Sequence, residues 1–129
     1  MELRLLEPEF AIWKARDFAQ VDFDSSFLFL AKTDDECSIV CPADELPQNC
    51  LAVERSWRAF RIEGQLDFSL VGIIAQISAV LAAKGIGIFV VSTFNTDYIL
   101  VRNHHLADAM QVLTQNGYPF VEGKRLILE

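Results

Sequence analysis

Leu70, Ile73, Ile74, Ile77 and Leu81 recur at the spacing of one helix face, and Gly85 then breaks the pattern. Ser69 stands where an N-cap belongs, and alanines make the opposite side of this helix small. Ile86–Thr93 follows without helical period and reads as a buried strand, and Tyr98–Val101 reads as the next strand. Helical spacing returns at Leu106, Ala109, Met110 and Leu113, with Asn103 placed to cap and Gly117 to stop the helix. Tyr118–Val121 is a last short strand, and KRLILE can add one more. Upstream, Trp57–Ile62 alternates, with Arg58, Phe60 and Ile62 on one face and Trp57, Ala59 and Arg61 on the other. The order from Trp57 onward is therefore β-α-β-β-α-β. That order places two helices on one face of an antiparallel sheet, the α+β arrangement called ferredoxin-like.

The first half keeps a different rhythm. RLLEPEFAIWKA reads as two short strands split at Glu7-Pro8-Glu9, because proline marks a turn or an edge. After a polar link, Phe27–Lys32 and Glu36–Cys41 form a hairpin around Thr33-Asp34-Asp35. Pro42 and Pro47 leave room for one helical turn at most between them. This strand-rich half is expected to cover or extend the sheet of the second.

Charge narrows the partners. Eighteen acids against eleven lysines and arginines give a net charge of −7, which disfavours nucleic acid and anionic membranes. The most apolar region, Leu66–Ala83, contains Asp67, Gly72 and Gln76, too polar for a membrane span. Glu2, Arg4, Glu7 and Glu9 interrupt any signal-peptide core, so a cytoplasmic location is expected. Cys37, Cys41 and Cys50 lack a C-x-x-C pattern and read as small buried hydrophobes; no zinc ligand set is visible. His104-His105 reads as a solvated helix start, and Arg58 and Arg61 as partners of surface acids. No phosphate-cradling glycine loop, nucleophile elbow or zincin motif is present, so no catalytic residue and no cofactor are assigned.

The segment STFNTD is more polar than a plain hairpin turn requires. The β-α-β-β order brings it to the same end as the start of the first helix. The helix-start residues Ser69, Leu70, Val71 and Gly72 offer unpaired backbone N–H groups to an anion, and Gly72 has no side chain to obstruct approach. Asp97 can take a cationic group, Phe94 can wall an apolar part, and Thr93 and Asn95 stand beside them. Anion site, cation site and apolar spacer form the pattern of a zwitterion. The competing reading is structural: Asn and Asp are common turn residues because they bond nearby backbone.

The run WRAFRIEGQLDFSLVGIIAQISAVLAAKGIGIFVVSTFNTDYILV resembles small bacterial ACT-domain proteins related to the ACT domains of CASTOR-type arginine sensors, and KTDDECSIVCPAD resembles the first half of the same family. The resemblance implies two tandem ACT-like βαββαβ units, the first abbreviated, over residues 1–56 and 57–129. It implies a non-catalytic module binding an amino-acid effector, a possible homodimer, and an unknown downstream protein. In the arginine sensors the matching threonine, phenylalanine and aspartate line the arginine pocket, which carries over to Thr93, Phe94 and Asp97. An interaction module with a vestigial pocket, pairing through an exposed sheet edge, is the alternative.

Overall fold

A computed structural model of the chain describes residues 1–48, 50–63 and 72–121. Strand β1 runs from Leu3 to Ala15 without interruption, straight through Pro8. The expected split at Glu7-Pro8-Glu9 does not occur. Leu3 and Arg4 pair in parallel with β7 (Phe120–Val121), whereas Phe10–Ala15 pair antiparallel with β3 (Cys37–Pro42). Pro8 stands between those two stretches, where its missing N–H interrupts neither ladder.

The chain divides into two units, Pro8–Trp57 and a second joining Met1–Glu7 to Arg58–Glu129. Strand β1 and strand β4 (Ala52–Ile62) each contribute residues to both.

In the N-terminal unit the strand order is β2-β3-β1-β4, with β2 at Phe29–Lys32. A single 3-10 turn, Ala43–Glu45, sits where the prolines leave room for it. Ala11, Trp13, Ile39 and Cys41 form a small core, with Phe18, Leu28 and Leu46 packed at its margin. Cys37 and Cys41 are buried and Cys50 is half-buried, all as free thiols. The Trp13 indole N–H donates to Cys41 Sγ at 3.3 Å, and burial pushes the Cys41 thiol pKa up. Strand β4 starts at Ala52 rather than Trp57. Its first five residues are exposed, so no burial alternation announces them, and Ser56 interrupts the pleat with a φ of 69°.

In the C-terminal unit the order is β7-β1-β4-β6-β5, with β5 at Phe89–Ser92 and β6 at Asp97–Arg102. Helices α1 (Ile73–Ala82) and α2 (Leu106–Gln115) pack on the face carrying Phe60, Ile62, Ile99 and Val101. Leu3, Ile77, Leu81 and Leu113 are fully buried in the same cluster. Burial of each such side chain contributes about 1.5–3 kcal/mol. Both helices end alike. Gly85 and Gly117 take φ of 73° and 91°, and the next residue turns back into the helix: Ile86 N–H to the Leu81 carbonyl, Tyr118 N–H to the Leu113 carbonyl. That closure uses Ile86, so β5 starts at Phe89 rather than Ile86. Asn103 does not cap α2; it opens a 3-10 turn, Asn103–His105, and α2 begins after it without a side-chain cap.

The two hairpins share one register. Phe29 faces Val40 and Lys32 faces Cys37 in the first, and Phe89 faces Leu100 and Ser92 faces Asp97 in the second, each position sixty residues on. The 3-10 turns follow the same offset.

Candidate effector site

The turn between β5 and β6 is held by its own hydroxyls. Thr93 N–H donates to the Thr96 carbonyl at 2.9 Å, and Thr93 Oγ1 both donates to that carbonyl and accepts the Thr96 N–H. The turn therefore uses the Thr93 hydroxyl's proton and one of its two lone pairs. Thr96 is buried, and its Oγ1 donates to the Ile62 carbonyl at 2.7 Å. This bond fixes the turn against the end of β4. Thr96 was not singled out from sequence, because a turn threonine carries no local sign of which distant carbonyl it reaches.

Around that anchor the remaining groups face outward. Phe94 is 74% exposed, and Asn95 is exposed as well. Asp97 is half-buried at the first position of β6, opposite Ser92, and among the described residues its carboxylate takes no hydrogen-bond or ion-pair partner.

Helix α1 starts later than the sequence suggested. Its N-cap is Gly72, not Ser69, and no side chain caps it. Ser69, Leu70 and Val71 lie outside the described residues. The first helical bond runs from Gln76 N–H to the Gly72 carbonyl, so the N–H groups of Ile73, Ile74 and Ala75 have no acceptor within the helix among the described residues. Of the anion-binding donors expected at Val71 and Gly72, Val71 lies outside the described residues, and Gly72 is the N-cap itself. Gly72 is exposed with a φ of 84°, and an added Cβ would meet nothing within 4 Å. It is there for its backbone conformation, not for close packing on the sheet. Gly72→Ala would cost about 1–2 kcal/mol in the left-handed region, so it strains the helix start instead of leaving the fold untouched.

Helix α1 and β5 run in opposite senses across the C-terminal unit, joined at Gly85. The start of α1 and the end of β5 therefore belong to the same end, where β4 leaves the sheet at Ile62. A polar cluster stands at that exit. Glu63 receives Arg4 on Oε1 at 2.9 Å and Arg61 on Oε2 at 3.3 Å, and Arg61 also donates to the Tyr98 hydroxyl at 3.4 Å. The Arg4 hydrogen bond holds the Glu63 carboxyl below its ordinary pKa, opposed by partial burial and helped by Arg61. Arg61 thus pairs with an acid as expected. Among the described residues Arg58 does not: it donates to the Leu6 carbonyl at 3.2 Å. Arg4 was missed, because its partner lies far along the chain. The His104 and His105 rings lie 4.1 Å apart between centroids. Among the described residues no group of three His, Cys, Asp or Glu is placed to hold a metal, and no helix is long and apolar enough to cross a membrane.

Comparison with known proteins places this geometry. The ACT domain family model matches residues 52–115. The human cytosolic arginine sensor for mTORC1 subunit 1 is 40% identical over 83 residues, covering 59% of this chain and 25% of that protein. The chain thus spans about a quarter of the length of the curated relatives it matches. The crystal structure of the protein Atu0741 from Agobacterium tumefaciens superposes with a TM-score of 0.83 at 34% identity, covering 93% of this chain and 91% of that one. The regulatory subunit of aspartate kinase from Thermus thermophilus shares the fold, with a TM-score of 0.64 at 9% identity over 88% of this chain and 95% of that one. The chain belongs to the ACT-domain family and is related to the CASTOR-type arginine sensors.

Proposed function

We propose that this protein is a non-catalytic regulatory module that binds an amino acid at the end of its C-terminal unit where β4 leaves the sheet. The observation that carries the reading is Asp97: a half-buried carboxylate without a partner among the described residues, on a turn anchored to Ile62, at the same end as the uncapped start of α1. Asp97 takes the ammonium group, and the N–H groups of Ile73 to Ala75 take the carboxylate. Phe94 lies over the apolar part. Kinship with a protein named as an arginine sensor supports the ligand class. The groups gathered here are binding groups, with no nucleophile–base pair among the described residues.

The same reading takes residues 1–56 and 57–129 as tandem ACT-like units, the first abbreviated and lending Leu3–Glu7 to the second. The shared hairpin register supports it. It takes the protein as cytoplasmic and as a homodimer. Ala75, Ala79 and Ala82 leave a low, exposed side on α1 that permits close approach of a second copy; light scattering at high micromolar concentration reads this directly, and a monomer counts against it.

Thermal unfolding across the proteinogenic amino acids tests the function. At a hundredfold excess over Kd, a bound effector adds about 2.7 kcal/mol to stability. Asp97→Asn should weaken that binding by about 1.5–3 kcal/mol while changing the stability of the free protein by about 0.5 kcal/mol or less. If no amino acid stabilises the wild type, and Asp97→Asn alone lowers Tm strongly, Asp97 is a structural turn residue. The protein then acts as an interaction module.

A further inference from the structure

Among the described residues the N-terminal unit has no α-helix over its small core. The segment 16–28 and the residues Gln48, Cys50 and Leu51 stand beside the end of β1 instead, and among them lies a cavity of about 560 Å³. That volume falls within the roughly 300–1,000 Å³ of small-molecule sites. Its floor is apolar: Trp13, 3% exposed and with its indole N–H already satisfied by Cys41, together with Ala15 and Cys50. Arg16, Gln20 and Gln48 supply the polar lining. Among the described residues the Arg16 guanidinium has no hydrogen-bond or ion-pair partner. Asp17 stands beside it, with one oxygen committed to the Ala19 N–H at 3.0 Å.

We propose that this cavity is a second binding site, for a small carboxylate with a short apolar body. Arg16 holds the carboxylate by charge-assisted hydrogen bonds, the two glutamine amides complete its hydrogen bonding, and the apolar body lies on the Trp13–Ala15–Cys50 floor. A cation unpaired among the described residues, beside an apolar floor in a chain of net charge −7, offers an anion a local site. The shared chemistry is met by a 2-oxo acid or by an amino acid, and Asp17 distinguishes them: its free oxygen favours an ammonium group on the same carbon skeleton. This site is independent of the one built on Asp97.

Isothermal titration of the full chain with 4-methyl-2-oxopentanoate and, separately, with L-leucine tests the proposal. Trp13 fluorescence in a Trp57→Phe background provides a local readout. Saturable heat with at least one probe is expected, accompanied by a change in Trp13 emission. Arg16→Gln, on an exposed side chain outside the core, should weaken that binding at least about tenfold, with far-UV circular dichroism unchanged, and Asp97→Asn should leave it intact. Tighter binding of L-leucine, lost on Asp17→Asn, identifies the amino acid; tighter binding of the oxo acid identifies the 2-oxo acid. The proposal is overturned if neither probe binds saturably, if Arg16→Gln binds as the wild type does, or if only Asp97→Asn abolishes binding. That last result would place the ligand in the C-terminal unit and leave the effector reading standing.

Discussion

In the N-terminal hairpin Thr33 N–H donates to the Glu36 carbonyl at 2.9 Å, and Thr33 Oγ1 accepts the N–H groups of Asp35 and Glu36. In the C-terminal hairpin Thr93 makes the corresponding backbone bond to Thr96; its hydroxyl accepts the Thr96 N–H, as Thr33 accepts that of Glu36, but also donates to the Thr96 carbonyl. The threonine is thus the shared turn-former. What differs is what the other positions do. Asp34, Asp35 and Glu36 are exposed acids; their counterparts are Phe94, Asn95 and Thr96, of which Phe94 is exposed and Thr96 is buried against Ile62. Where the first hairpin places the buried thiol of Cys37, the second places the carboxylate of Asp97. The comparison separates a shared scaffold from what is particular to one turn: Thr33 and Thr93 form the first, and Phe94, Thr96 and Asp97 have no like residue at the matching positions of the N-terminal hairpin.

The largest test concerns the cores beneath the two hairpins. Ile39 and Ile99 occupy equivalent positions, and both are fully buried. Truncation to alanine should cost about 2–5 kcal/mol at each. Ile99→Ala should cost more, because the C-terminal cluster is held by two helices and cannot collapse into the gap, whereas the smaller N-terminal core has no α-helix over it among the described residues. Chemical denaturation of the two variants checks this, and an equal loss would dissolve the distinction between the cores.

Thr96→Val comes next. It deletes the donor to Ile62 and leaves a buried carbonyl unpaired, which should cost about 1–3 kcal/mol. Glu36→Val, at the equivalent exposed position, should stay within about 0.5 kcal/mol. If the two variants melt together, the Thr96 anchor is not what sets the second turn apart.

Thr33→Ala and Thr93→Ala should cost about the same, roughly 0.5–1.5 kcal/mol each for lost turn hydrogen bonds. A Thr93→Ala variant that keeps its Tm but loses effector binding would move Thr93 from scaffold to ligand contact.

The smallest effect lies at the strand exits. β4 leaves through Glu63, held by two arginines, and β1 leaves through Arg16, which has none of the acids as a partner among the described residues. The folded-state pKa of Glu63 is depressed, so its pairing stabilises the fold above the unfolded carboxyl pKa of about 4.3 and the contribution is lost as pH falls through the lower folded value. Glu63→Gln should therefore be less stable than wild type near neutral pH and converge with it in acid. The gap should be about 1 kcal/mol or less if the pair behaves as exposed pairs do.

Local signals were legible in the sequence. The stripe of Ile73, Ile77 and Leu81, the stop at Gly85, the second helix up to Gly117 and the Thr33 turn are all written within a few residues of where they act. Pairings across the chain were not. Nothing near Pro8 says that β1 changes partner there, and nothing near Leu3 says that its slot lies beside Phe60 and Phe120. Asp97 and Phe94 stood out as candidates because polar and aromatic residues crowd one turn. Thr96 and Arg4 did not, because their roles depend on Ile62 and Glu63. Ser69 looked like a cap by residue type, but a glycine able to take positive φ stands three residues on, and the helix begins there.

Leu3 is fully buried among residues of α1, β6 and α2, and its N–H donates to the Pro119 carbonyl at 2.9 Å. During synthesis this strand leaves the ribosome long before the helices and the last strand that enclose it. The nascent C-terminal unit therefore cannot close on its own residues as they emerge; it must retrieve a partner from the far end of the chain, a loop-closure cost that slows folding. Leu3 and Leu6 stay exposed to chaperones or to other nascent chains in the interval. A fragment cut at Trp57 would emerge with the groove for Leu3 open, prone to capture the same strand from a neighbouring molecule.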